Sequence, residues 1–260
     1  MKSINYLWMT CVCIPLFCVS LVSCSNDDDD DNISTSPITL YAGSTATIDG
    51  NVNNAISSDE FVATVEKNTV TGVHVGEAYV TVNSKNKIPV TVQPKYRIMD
   101  DPITEWGASK STIKQKQTQG KILKETEDIL AYENCGDAEM VGYSFKSGKL
   151  AGIVVMMPMS KMSAYINYLK ERFAFIPEQF ENYTFLGFDA YTLEKSKTVA
   201  ALSIYNTDYL SCVYMPTADY KKSSKVPRMD LRVVRALSMP QRTSVSPEMG
   251  SQLEEYVLSR

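Results

Sequence analysis

The stretch MVGYSFKSGKLAGIVVMMP, residues 140–158, decides how most of this chain folds. Val141, Tyr143 and Phe145 alternate with small or polar neighbours, and Ser147-Gly148 is a two-residue turn signal. The apolar run from Leu150 to Met157 returns and closes on Pro158. That pattern predicts a β-hairpin with strands at residues 140–146 and 149–157. About sixty residues on, the pattern recurs in Ser203-Ile204-Tyr205-Asn206-Thr207-Asp208-Tyr209-Leu210, and this second hairpin closes on Pro216.

Outward from each hairpin the grammar also repeats. Trp106-Gly107-Ala108-Ser109 leads into a short polar helix reaching about Gln117, with Ser109 as N-cap. Strands are predicted at residues 121–124 and 128–132. A second helix spans residues 160–173, where Met162, Tyr165, Ile166, Leu169 and Phe173 fall at helical spacing. Strands at residues 183–186, 190–194, 198–205 and 209–215 follow. Two units, each a helix and four strands, predict an α+β layer over residues 96–217: one curved antiparallel sheet with both helices on one face. This topology, with its Trp-Gly-x-Ser helix start, resembles the beta-lactamase-inhibitor-protein-like fold. That resemblance carries over no functional residue.

Residues 37–95 read differently. Ile38 and Leu40, Ala46 and Ile48, Phe61, Ala63 and Val65, Ala78, Val80 and Val82, then Val90 and Val92 recur with period two in short pieces. Gly43, Asp49-Gly50, Asn53-Asn54 and Gly76 separate them, so an all-β sandwich is predicted. The run from Ser57-Ser58-Asp59-Glu60-Phe61 to Val65, then Val70-Thr71-Gly72-Val73 and Gly76 to Val82, resembles the bacterial Ig-like domain of group 2. Ile56 departs from that pattern, standing where the family has an aromatic residue, and is expected to change one core contact. The resemblance implies a spacer or adhesive module at a cell surface. His74, the only histidine of the chain, is placed in a strand of this domain as a satisfied residue.

The N-terminal residues supply an address. Lys2 precedes an apolar stretch from Tyr6 to Val22, too short for a spanning helix and shaped as a secretory signal over residues 1–23. Leu21-Val22-Ser23-Cys24 looks like the bacterial lipobox, with Cys24 the lipidated residue. Residues 24–36 form an acidic linker, and the run Asp27 to Asp31 is too charged to bury itself. An acidic run after the lipidated cysteine resembles the surface-export signal of Bacteroidetes lipoproteins. It implies an outer-membrane protein held by lipid and facing the cell exterior.

About 235 residues follow the signal, room for one large or two small domains. The formal charge of −4 includes the aspartate run, and no basic field of the kind that grips nucleic acid covers the folded part. Beyond the signal and Cys24, only Cys135 and Cys212 remain. An oxidising compartment permits a bridge between them; the reading adopted is two buried free thiols. A single histidine offers no Ser-His-Asp or Cys-His arrangement. No cysteine or histidine spacing suits a metal, and no glycine-rich loop suits a phosphate. Asp137 and Glu139 form the best acidic cluster, with Asp100 and Asp101 elsewhere, and these read as solvated loop acids. No enzyme, cofactor or catalytic residue is therefore expected.

Aromatic side chains are the better candidates, since exposed rings stack on sugars and anchor proteins. Trp106, Tyr205, Tyr209 and Tyr214 are the candidate ligand contacts, with the last hairpin expected to expose its rings. Residues 218–260, rich in Lys and Arg with breaks at Pro227, Pro240 and Pro247, are expected to form a basic, disordered tail without which the head is complete. Two short pieces, residues 231–237 and 252–258, have helical character. The chain thus reads as a noncatalytic surface lipoprotein that binds a glycan or protein through an open sheet face of its α+β domain. The alternative is a structural, assembly or inhibitor lipoprotein facing the periplasm.

Overall fold

Seven short strands open the described chain: β1 (Ile38–Tyr41), β2 (Thr45–Thr47), β3 (Ala55–Ser57), β4 (Ala63–Glu66), β5 (Thr69–Gly72), β6 (Gly76–Val82) and β7 (Asn86–Gln93). The computed structural model describes residues 32–180, 184–223 and 246–259. The signal, Cys24, the aspartate run, Tyr183 and residues 224–245 of the tail lie outside them. The seven strands make a four-stranded sheet in the order β1-β7-β6-β3 and a three-stranded sheet in the order β2-β5-β4. β1 runs parallel to β7, and the other pairs are antiparallel. Leu40, Val70, Val80, Val82, Ile88, Val90 and Val92 turn into one shared core, because alternate side chains of a strand share a face.

Two expectations for this first domain are corrected. Ile56 is no core contact: it points outward and is 68% exposed. Its strand is a sheet edge, where an outward side chain meets water. His74 lies in the bend between β5 and β6, not in a strand, because β5 stops at Gly72.

The second domain contains α1 (Lys110–Lys116), β8 (Lys121–Glu125), β9 (Ile129–Cys135), β10 (Ala138–Lys146) and β11 (Lys149–Pro158). A 3-10 turn leads into α2 (Met162–Lys170), followed by β12 (Ala174–Phe180), β13 (Thr184–Phe188), β14 (Thr198–Ile204) and β15 (Tyr209–Pro216). Helix plus four strands does occur twice. Their eight strands form one antiparallel sheet in the order β12-β13-β14-β15-β11-β10-β9-β8. Each unit is a meander, and β11 and β15 join the two, with Val155 opposite Cys212. Ser109 caps α1 by accepting a hydrogen bond from the Thr112 N–H at 3.2 Å. Ser147 and Gly148 both take positive φ, 51° and 72°, as a two-residue hairpin turn of this twist requires.

The strand expected at residues 190–194 is a turn instead, closed by Lys195 and Ser196 N–H groups on the Thr192 carbonyl. The fourth strand of that unit is β12, over residues to which no element was assigned between the expected helix at 160–173 and the expected strand at 183–186. Pro177 sits inside it, where the β12–β13 register shifts; β12 is an edge strand, the place a sheet tolerates proline.

Ile113 of α1 and Tyr165, Ile166, Tyr168 and Leu169 of α2 share one core with Tyr143, Phe145, Val155, Leu202 and Tyr214, so both helices cover the same face. The opposite face is not open, which corrects the expected binding surface. Met140, Val154, Met156, Leu186, Val199 and Ala201 are buried there. A further helix, α3 (Thr217–Ser223), lies against β14 and β15, and its Tyr220 ring meets Phe188.

The expected disordered tail over residues 218–260 is corrected for both of its described stretches, the first of which lies in α3. α4 (Pro247–Leu258) packs against α2 and β12 and buries Leu253 and Val257 in the main core. Ser246 caps it by accepting from the Met249 N–H at 3.3 Å, with Pro247 in the first turn. At its other end Lys170 donates to the carbonyls of Tyr256, at 2.8 Å, and Ser259, placing a cation where the helix dipole favours one.

Candidate functional site

The four candidate aromatics do not converge. Trp106 packs at the edge of the helix-side core, with its indole N–H donating to Thr198 Oγ1 at 3.1 Å. Tyr214 is fully inside that core, tilted against Phe173 with ring centroids 5.7 Å apart. Tyr205 and Tyr209 belong to the other face of the sheet, the first buried and the second half-buried. With two rings on each side of one sheet, no common platform exists. Expected exposure of the last hairpin is therefore corrected for Tyr205 and Tyr214. The large apolar side chains that are exposed lie elsewhere, among them Ile122 and Leu123 on the edge strand β8, Tyr191 in the turn before β14, and Ile56 and Tyr79 on the outer face of the first domain. Lys87 sits over the Tyr79 ring at 4.7 Å.

A built polar site occurs where the two domains meet. Glu171, the residue after α2, is buried, and its two carboxylate oxygens accept the backbone N–H groups of Lys95 at 3.0 Å and Tyr96 at 3.1 Å. Its own carbonyl accepts from the Val75 N–H at 2.7 Å, in the β5–β6 bend of the first domain. Next to it, Arg172 lies over the Tyr168 ring at 3.7 Å and donates from Nε to Asp101 Oδ1 at 2.6 Å. Tyr168 donates its hydroxyl to the same oxygen at 2.6 Å. Burial pushes that phenol well above its ordinary pKa, with the Asp101 charge adding to the effect. The end of one helix thus fixes both ends of the connecting segment.

Between those ends the segment is also held. The Asp100 N–H donates to Gln119 Oε1 at 2.9 Å, the Ile98 carbonyl accepts from the Asp137 N–H at 2.7 Å, and Met99 is buried in the head core. Pro94 and Pro102 bracket this segment, as they would a loose linker, yet it forms a clamped strap. Aromatic contacts complete the joint. Phe61 and His74 stack with centroids 3.9 Å apart and planes 3° from parallel, and Tyr191 of the head meets both edge-on at 5.2 and 5.9 Å. Ala174, at the start of β12, packs against the core of the first domain.

The acidic cluster does not assemble. Asp137 pairs with Lys161 at 3.1 Å, Asp100 accepts from Thr118, and Asp101 serves Arg172 and Tyr168. Among the described residues, no group of three or more potential ligands could hold a metal. An open concavity of about 480 Å³ runs along β4 and β5, lined by Thr64, Glu66, Lys67, Asn68, Thr69 and Thr71. It lies on the first domain and gathers hydroxyls and amides but no ring.

Cys135 and Cys212 are both free and buried. Burial pushes the Cys135 thiol up to about 11 and the Cys212 thiol up to about 12. Since the thiolate is the reactive form, about one Cys212 in ten thousand is ionised at pH 8. Neither cysteine of the folded chain is therefore expected to react with an aromatic disulfide reagent within minutes at pH 8. Both should react at once in guanidinium, and fast labelling without denaturant would contradict the burial.

No protein-family model, curated protein or solved structure matches the chain. Among the described residues, no helix is long and apolar enough to cross a membrane. Any functional reading therefore rests on the chain's own geometry.

Proposed function

We propose that this chain is a noncatalytic surface lipoprotein, acylated on Cys24, whose Ig-like domain carries a two-unit α+β head and presents it rigidly to a glycan or protein partner. One observation carries this reading: the first domain takes in the chain at one end and grips the head at the other. The chain enters at Asn32–Ser34, with the Ser34 N–H on the Asp49 carbonyl. That end also holds the β6–β7 turn, since Asn83 reaches the Asn51 carbonyl at 2.8 Å. β7 then runs away from this end for eight residues, to the joint at Gln93–Tyr96. A domain strung between an anchor and a clamped head acts as a spacer. The seven-strand, two-sheet arrangement and the Ser57–Val82 pattern favour the Ig-like assignment, and the paired four-strand meanders favour the beta-lactamase-inhibitor-protein-like one.

The partner-facing surface sits on the exposed apolar residues, not on the buried rings. Ile122 and Leu123 of β8, between Lys121 and Lys124, are the head's best contact. Replacing both with serine should weaken partner capture while leaving thermal stability within about 0.5 kcal/mol, as for surface substitutions generally.

The anchor and its direction are tested together. Cys24→Ala is expected to abolish lipid labelling and release the protein from membranes. Protease added to intact cells is expected to remove the head of the unaltered protein. A head protected until the outer membrane is opened would favour the inward-facing structural or assembly reading.

A further inference from the structure

We propose that the joint between the two domains is an acid-released latch, held shut by neutral His74 and opened when that ring takes a proton. His74 is 7% exposed and sits one residue before Val75, whose N–H reaches across to the Glu171 carbonyl of the head. Its Nδ1 lies 2.7 Å from the Phe61 carbonyl oxygen. A carbonyl can only accept, so Nδ1 carries the hydrogen and Nε2 is the bare nitrogen of the neutral ring. One face of that ring is covered by Phe61, and the edge of Tyr191, from the other domain, closes on both. The imidazole is therefore packing material at the contact between domains, and protonation would place a charge on a buried ring stacked against Phe61.

Burial sets the sign, against the nearby carboxylate charge. Asp59 and Glu60 lie on the preceding loop of the first domain, Lys95 on the strap, and Glu171 and Arg172 at the end of α2. Tyr191 faces the ring from the head, and burial raises its phenol, which stays neutral. Burial lowers the His74 pKa from its ordinary 6.5, outweighing the Phe61 carbonyl and Asp59, which raise it. In the opened joint the ring meets water and returns to its ordinary value, next to two carboxylates. The closed form is thus fully favoured above pH 6.5. Below it the open form binds the extra proton, and closure weakens about tenfold per pH unit until the closed-state pKa is reached. The latch goes beyond the presenting role: it makes the head's attitude depend on acidity.

Hydrogen exchange of the full chain, secreted as Cys24→Ala, tests this. The amides of Val75, Lys95 and Tyr96 are the bonds that cross or strap the joint. After correction for intrinsic rates, their protection is expected to fall as pH drops below 6.5, by at most about tenfold per pH unit, and to level off at the closed-state pKa. Protection in β6–β7 and β10–β11 should stay constant. His74→Phe keeps the ring stack without a titrating group and should hold its protection at pH 5. Wild-type protection that ignores pH, or the same loss in His74→Phe, would overturn the proposal, the second outcome assigning the effect to carboxylates. If the variant does not fold, the single imidazole resonance of the unaltered chain decides. A pKa at or above 6.5 counts against the latch, and a lower one that tracks the exchange midpoint supports it.

Discussion

Deleting residues 246–260 is expected to lower the thermal midpoint of the chain by about 10 °C. Leu253 and Val257 are essentially without solvent exposure, both within the core that also contains Tyr165, Leu169 and Phe173. Burying one such side chain contributes about 1.5–3 kcal/mol, so losing both, with the Lys170 bonds to the helix end, removes about 4 kcal/mol. A domain pair of this size loses about 2–4 °C per kcal/mol. Point variants refine the test. Leu253→Ala leaves a cavity and should cost about 2–4 kcal/mol. Tyr256→Ala, on the 42% exposed side of the same helix, should change stability by less than about 0.5 kcal/mol. A truncated chain melting at the parental temperature would show that α4 only rests on the head.

That helix illustrates where the sequence could be read and where it could not. Residues 252–258 had visible helical character, but Pro247 looked like a break. In the fold it is the first residue after a serine cap, the one helical position where proline fits without losing a hydrogen bond. The same ambiguity hid β12, whose Pro177 demotes it on pattern alone. By contrast the hairpins, Ser109 and the repeat of helix plus four strands were legible. Each rests on residues close in sequence: a turn dipeptide, a cap, an alternating run.

The site was less legible, for a physical reason. Tyr205 and Tyr214 were judged by their nearness to a polar turn, yet β14 is buried at every position and β15 at four of its eight, Tyr214 among them. A warning was available in Ile153-Val154-Val155-Met156-Met157, five apolar residues in a row. Such a run marks a strand covered on both faces, where a half-open sheet would alternate. No comparable signal announces the joint. Phe61, His74, Lys95, Glu171 and Tyr191 come from five separate places in the chain, and nothing in their spacing says that they meet. Glu171 in particular looks like an ordinary charged residue in a helix's last turn.

Its replacement should have the second large effect. In Glu171→Ala the N–H groups of Lys95 and Tyr96 lose both acceptors at once, and hydrogen bonds to a charged group contribute about 1.5–3 kcal/mol each. Part of that is recovered when water enters, so about 3 kcal/mol of joint stability should be lost, roughly a hundredfold in the opening equilibrium. Both domains have separate cores, so each should stay folded while the strap between them loosens. Trypsin reads this directly, because Lys95 and Arg97 lie within the strap. The unaltered chain is expected to resist cleavage there under native conditions, since local opening of a clamped segment limits the protease. Glu171→Ala should be cut after one or both residues about a hundred times faster, giving two stable fragments. Glu171→Gln keeps one accepting oxygen and should fall between. Rapid cleavage of the unaltered chain at Lys95 would mean that the carboxylate does not hold the strap. Equal resistance in all three would mean that Arg172 with Asp101, and the stacked pair Phe61 and His74, hold the domains together without it.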